Sequence, residues 1–171
     1  NNVAPVIMEQ IEKGNLDCGI IFSHNDFEKE ELFVKELANL PYIMIAGNAM
    51  IELKNRQVTL HELENYSFVG LDENTVSGQA HRKFFVENNF AYHPDIILAT
   101  ADLVVPTVAN NLGIGLVPKP FATDALNQGE IFEIKIKEEI PSSSICFVCE
   151  KSRINKPSVK ALLECLENLR V

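Results

Sequence analysis

Ile11-Glu12-Lys13-Gly14-Asn15-Leu16-Asp17-Cys18-Gly19-Ile20-Ile21-Phe22 is the stretch from which the fold can be read. Its first residue completes an apolar row, Val3, Ile7 and Ile11, whose spacing of four stacks it on one helical face. Pro5 suits the first turn of a helix over residues 3–13, where a missing N–H has no consequence, and Gly14 suits its C-terminal stop. Residues 16–22 then form a short, mostly non-alternating apolar run, the pattern of a strand buried on both faces and a habit of parallel sheets. Helix, tight turn and buried strand make half of a βαβ unit.

Working outward, residues 32–37, 41–46, 66–71, 95–99, 114–117 and 145–149 read as further strands. Residues 131–136 alternate Phe132, Ile134 and Ile136 against Ile131, Glu133 and Lys135, as a half-exposed strand does. Residues 58–63 predict a short helix capped by Thr59. Ser77 opens a helix to about Asn88 with Phe84 and Phe85 inward, and Thr100 or Asp102 caps another reaching Asn110. Pro106 inside that second helix predicts a kink or a later start. A helical turn is expected over residues 122–127, and an amphipathic helix from Pro157 carries Val159, Leu162, Leu163, Leu166 and Leu169. Strands alternating with helices imply an α/β fold with mostly parallel sheets.

A chain of 171 residues, 46% hydrophobic and 23% charged, is one globular unit or two small intimate lobes. At that size about 70% of the unfolded surface is buried, enough for a core without staples. The 24 acidic and 15 basic side chains give −9, which argues against this chain gripping nucleic acid or an anionic membrane. No apolar run approaches the roughly 20 residues that span a bilayer. The start Asn1-Asn2-Val3-Ala4-Pro5 has none of the regions of a signal peptide, and four cysteines are too few for a disulfide scaffold, so a reducing cytoplasm is expected.

Cys146-Phe147-Val148-Cys149 has C-x-x-C spacing, but positions three apart on a strand point to opposite faces and cannot chelate one ion. Buried structural cysteine is the expectation. His24, His61, His81 and His93 are scattered; His81 either faces a cleft or packs its helix. Asp17 between helix and strand suits a cap or a turn bond, and Arg82 a surface or inter-lobe position. Gly113-Ile114-Gly115 precedes a strand, so it is no dinucleotide fingerprint, and no nucleophile elbow or phosphate loop is present. No catalytic set, metal site or cofactor is implied. Ser77-Gly78 and Thr100-Ala101 each place a hydroxyl and first-turn N–H groups just after a strand. Ligands of open α/β sheets bind at such strand ends and anions favour helix N-termini; equally, both hydroxyls suit plain helix caps.

Five stretches together resemble the effector-binding domain of LysR-type transcriptional regulators. Residues 11–20 are similar to the family's L-x-x-G-x-L-D-hydrophobic-x-I, and residues 58–63 lead into a strand as in the family. Ser77-Gly78 with Arg82 opens the second-lobe helix. Leu112-Gly113-Ile114-Gly115-Leu116-Val117-Pro118 is similar to the glycine-rich strand of the family, and Lys151 and Arg153 follow the late strand. Asn111 stands where glycine is usual, a tolerable exchange because asparagine accepts the left-handed conformation. Asn48-Ala49-Met50 departs from the family pattern and leaves that loop unassigned.

The resemblance implies the two-lobed fold of type 2 periplasmic binding proteins, lobe one being residues 1–36 with 143–171 and lobe two 37–142. Two crossing segments, near 36–41 and 138–143, would form a double-crossover hinge. It further implies a small, anionic metabolite held between the lobes by Ser77, Gly78, Thr100 and Ala101, with Phe22 and Ser23 facing them. DNA would be bound through a winged helix-turn-helix head absent from this chain, as is the first strand-helix-strand of lobe one. The regulator would be a homodimer or homotetramer, with Val6 and Met8 on the first helix in the interface. A solute-binding protein of a transporter, or an enzyme of the same two-lobed fold such as an amino-acid dehydratase, are the other readings.

Overall fold

The structure is a computed structural model and describes residues 4–23 and 30–168. In chain order its elements begin with α1 (Ala4–Glu12), β1 (Cys18–Ser23), β2 (Leu32–Leu40) and β3 (Tyr42–Gly47). A 3-10 helix (Asn48–Leu53), β4 (Gln57–Val58), a second 3-10 helix (Leu60–Leu63), β5 (Phe68–Leu71) and α2 (Val76–Glu87) follow. Next come β6 (Ile96–Leu98), a 3-10 turn (Ala101–Leu103), α3 (Val104–Ala109), β7 (Ile114–Pro118), α4 (Lys119–Asn127) and β8 (Ile131–Ile136). The last are β9 (Ser143–Glu150), a 3-10 turn (Lys151–Arg153) and α5 (Pro157–Asn168). Val3, His24 and Leu169 lie outside the described residues.

The chain divides into two compact units, one taking residues up to Leu40 and from Ser142 onward, the other Pro41–Pro141. In the first, β9 is the centre of a three-stranded sheet of order β1-β9-β2. Its side chains alternate between two cores. Cys146 and Val148 pack with Ile21 and with Met8 and Ile11 of α1. Phe147 and Cys149 pack with Val159 of α5 and, at the margin, with Cys18, Phe33, Leu163 and Leu166. The two cysteines of the C-x-x-C therefore lie on opposite faces of one strand.

The second unit is a six-stranded sheet of order β4-β8-β3-β7-β5-β6. β3 is buried along its whole length. Met44 and Ala46 enter the core shared with Phe84, Phe85, Phe90 and Tyr92, whereas Ile43 and Ile45 enter the core under Val104, Val108 and Ala122. Tyr92 stacks on Phe85 at 4.2 Å, and burial pushes its phenol up to about 12.

Two sheets of an α/β protein are as expected, but the strands are not mostly parallel. β1 and β2 both run antiparallel to β9, and β3 runs antiparallel to β7 and β8. Parallel pairs are β4 with β8, and β5 with β6 and with β7. The reason is topological. Parallel neighbours need a long crossover, which α2 and α3 supply around β5, β6 and β7. By contrast β2 leaves the first unit and β9 returns to it, so they run in opposite senses. β2 also continues past residue 36, with Ala38, Asn39 and Leu40 opposite Ile145, Ser144 and Ser143.

Other expectations shift locally. β1 is not buried on both faces: Ile21 is buried with Met8 and Ile11 of α1, while Ile20 and Phe22 on the opposite face are exposed. Met8, expected at an interface, is 5% exposed and belongs to the core with Ile11. Among the described residues of the apolar row on α5 only Val159 is fully buried, and Leu162 is exposed. α4 starts at Lys119, earlier than expected, because Pro118 and Pro120 suit its first turn. The left-handed positions are where expected: Gly14 has φ 78° and Asn111 φ 60°. Asn111 Oδ1 accepts the Ala49 N–H at 2.8 Å, which ties down the unassigned loop.

Asp17 does not cap. Its Oδ1 accepts from Arg153 at 2.6 Å and from Lys156 at 2.7 Å, while Arg153 also donates to the Gly14 carbonyl and the Glu150 carboxylate. The Lys156 and Arg153 hydrogen bonds hold the Asp17 carboxyl below its ordinary 3.8. A depressed carboxyl keeps its full stabilising contribution at neutral pH and loses it only as pH falls below that ordinary value.

Phe147 is fully buried at the middle of β9. Phe147→Ala is expected to cost about 3–5 kcal/mol, measured as a lower urea midpoint with an unchanged slope.

Candidate functional site

The candidate loops follow two adjacent strands of the second unit. β5 and β6 are parallel with Leu71 opposite Leu98, and the Asp72 N–H donates to the Leu98 carbonyl at 3.0 Å. Both chains therefore leave the sheet at the same edge, the carboxyl edge at which open α/β sheets bind ligands.

After β5 the chain makes a bonded turn. Asn74 donates through its N–H and its side-chain amide to Asp72 Oδ1, at 2.9 and 2.8 Å. The Thr75 N–H and hydroxyl both donate to the Asp72 carbonyl, at 2.9 and 2.7 Å. Thr75 Oγ1 in turn accepts the Gly78 N–H at 3.0 Å, so Thr75 is the cap of α2. This corrects the expectation that Ser77 opens the helix: Ser77 sits inside the first turn, half-buried, and makes no capping bond. Several polar residues of the run Asp72-Glu73-Asn74-Thr75 are good cap formers, and the one spaced three before the buried glycine takes the role.

Gly78 is fixed by contact. A Cβ there would lie 2.1 Å from the Asp72 carbonyl oxygen and 3.0 Å from that of Leu71, so α2 approaches the end of β5 as closely as backbone allows. Its N–H is already committed to Thr75.

After β6, Thr100 occupies the cap position of the 3-10 turn Ala101–Leu103 with extended backbone, yet its side chain makes no capping bond. Asp102 lies within that turn, and α3 begins later, at Val104, which leaves Pro106 in its first turn, where it does no harm. Thr100 is exposed and Ala101 packs partly against the second core. The hydroxyls of Ser77 and Thr100 are thus not spent on their helices, contrary to the plain-cap reading. The first-turn N–H groups of Val76 and Ser77 have no intrahelical acceptor either.

Phe22 and Ser23 end β1 in the other unit, paired with Ile145 and Ser144. Phe22 is 44% exposed and Ser23 is buried. His81 is buried on α2, edge-on to the Tyr42 ring at 5.2 Å, and so packs its helix. Arg82 pairs with Glu73 at 2.6 Å on the surface. A groove of about 420 Å³ lies at the opposite, amino ends of β5 and β6, lined by residues that include Tyr66, His93 and Asp95. Among the described residues no group of three or more His, Cys, Asp or Glu is placed to hold a metal ion, and no helix is long and apolar enough to cross a membrane.

The LysR substrate binding domain family matches residues 2–170. The chain belongs to that family. A LysR substrate binding domain is the regulatory, effector-binding part of a transcription factor. No curated protein matches this one by sequence. Solved structures share its fold. The CcmR regulatory domain of Synechocystis PCC6803, in complex with 2-PG, has a TM-score of 0.80 at 13% identity, over 97% of this chain and 79% of that one. The effector binding domain of QuiR in complex with shikimate has a TM-score of 0.73 at 16% identity, over 96% and 77%. A reduced form of OxyR from N. meningitidis has a TM-score of 0.71 at 15% identity, over 97% and 76%. The two-sheet α/β architecture of this LysR domain is that of the type 2 periplasmic-binding-protein-like regulatory domains.

Thr75 and Gly78 are expected to act on stability. Thr75→Ala should cost about 1 kcal/mol through the lost cap. Gly78→Ala should cost about 1–3 kcal/mol or more because α2 must retreat from β5. Thermal melts of the two variants against the parent chain check both.

Proposed function

We propose that this LysR domain senses a small organic anion through Ser77, Gly78, Thr100 and Ala101, with Phe22 and Ser23 contributing from the other unit. One observation carries the reading: two hydroxyls, of Ser77 and Thr100, cap no helix among the described residues and lie in the segments that follow the carboxyl ends of two adjacent parallel strands. At α2 the helix adds about half a positive charge beside one of them. With −9 overall, net charge does not draw an anion in, so local donors must hold it. Gly78 has its N–H committed, and its part is to let α2 start close against the end of β5. CcmR with 2-PG and QuiR with shikimate, the latter a carboxylate, support an acid as effector.

Binding is read out as a shift between conformations of the regulator, and no chemistry is asked of the domain. DNA contacts belong to a winged helix-turn-helix head of the intact cytoplasmic protein, a division that the acidic balance of this chain supports. The intact regulator is a homodimer or homotetramer, and Val6 on α1, 37% exposed, is available to such an interface where Met8 is not. The family match favours this reading over a transporter's solute-binding protein or an enzyme of the same fold.

Calorimetric titration with a panel of small carboxylates and phosphorylated acids tests the site. Each charge-assisted hydrogen bond contributes roughly 1.5–3 kcal/mol, so Ser77→Ala and Thr100→Ala should each weaken binding by about tenfold or more. Their melting temperatures should stay at the parent value, since neither hydroxyl caps a helix. Undiminished affinity in both variants would move the site away from these loops. Sedimentation at high micromolar concentration should show self-association; a monomer throughout would count against assembly by this domain.

A further inference from the structure

In sequence Cys149 stands in a C-x-x-C with Cys146, but the sheet pairs it with Cys18. β1 and β9 are antiparallel, and their register sets Cys18 directly opposite Cys149. Both side chains belong to the core on the α5 face, whereas Cys146 belongs to the core on the α1 face. Directly opposed residues of an antiparallel pair have Cα atoms about 4.5–5.5 Å apart. A disulfide needs Cα atoms about 4.4–6.8 Å apart, so either kind of antiparallel pair lies within its reach. All four cysteines are thiols in the structure.

We propose that Cys18 and Cys149 form a reversible cross-strand disulfide that pins β1, an edge strand among the described residues, to the central strand β9. The oxidant is a peroxide. Cys18, half-buried where Cys149 is fully buried, meets it first. Its thiolate attacks one peroxide oxygen, the O–O bond breaks, and sulfenic acid and water form. The Cys149 sulfur then attacks the Cys18 sulfur, the S–O bond breaks, and a second water leaves. Each sulfur loses one electron and the peroxide gains two. Burial, and for Cys18 the charge of Asp17, hold both thiols above their ordinary range. The pair therefore reacts slowly at neutral pH, and its reaction quickens as pH rises.

Treatment of the full chain with hydrogen peroxide, followed by denaturing alkylation and mass spectrometry, tests this. The expected product is a monomer lighter by two hydrogens, with the peptides of Cys18 and Cys149 joined and those of Cys146 and Cys165 alkylated. Dithiothreitol should restore all four thiols, and the oxidised chain should melt higher than the reduced one. Cys18→Ser, at a half-buried position, should keep the parent circular-dichroism spectrum and lose the product. Joining of Cys149 to Cys146, persistence of the product in Cys18→Ser, oxidation confined to exposed Cys165, or equal melting temperatures would each overturn the proposal.

Discussion

The first unit depends on one strand that arrives late. β9 is the only neighbour of both β1 and β2 among the described residues, so every ladder bond of that sheet runs through it. Its residues Cys146–Cys149 are buried on both faces and divide their side chains between the α1 and α5 cores. Both helices rest on it, α1 together with Ile21 and Leu32 and α5 together with Cys18 and Phe33. The partners are far apart in sequence, as with Leu32 opposite Glu150. Loop-closure cost rises only logarithmically with length, so the excursion through residues 41–141 is thermodynamically tolerable, although such non-local pairing slows folding. The Asp17–Arg153–Lys156 cluster fastens the same junction at the ends of α1 and β9.

In the second unit the constraint is the closeness of α2 to β5. Gly78 leaves no room for a side chain against the Asp72 carbonyl, and Thr75 ties the helix start to the same turn. With Phe84 and Phe85 packed in the aromatic core, both ends of α2 are held. With the helix start tied to the strand end, Ser77 is left over: the turn is already satisfied by Asp72, Asn74 and Thr75, and the Ser77 hydroxyl caps nothing among the described residues.

Much of this was legible from local rules. Gly14 and Asn111 take the left-handed conformation that their side chains permit, Pro106 coincides with a delayed helix start, and Thr59 donates its N–H to Glu62 at the head of the 3-10 helix. What was not legible is whatever the chain settles at long range. Strand direction depends on the route between strands, and an apolar run such as residues 18–22 looks alike in a central or an edge position. Asp17 finds its partners 136 and 139 residues away, where no spacing rule reaches. The cap at Thr75 was misread as Ser77 for a different reason. Neighbouring hydroxyls have similar cap preferences, and only the position of the buried Gly78 chooses between them.

The access of water to these hydroxyls bounds how tightly the proposed site can hold a ligand. Hydroxyls within reach of water, one half-buried at Ser77 and one exposed at Thr100, cost the fold little when left unpaired. For the same reason each returns only the difference between a bond to water and a bond to the anion, roughly 1.5–3 kcal/mol when charge-assisted. Two such bonds, with the first-turn N–H groups beside them, barely exceed the lower estimates for the lost freedom of a ligand, about 4 kcal/mol. Affinity from these polar groups alone is therefore modest. Apolar burial must supply the remainder. If the proposed site holds its ligand in this way, release is fast, which suits a sensor whose occupancy must follow concentration in both directions.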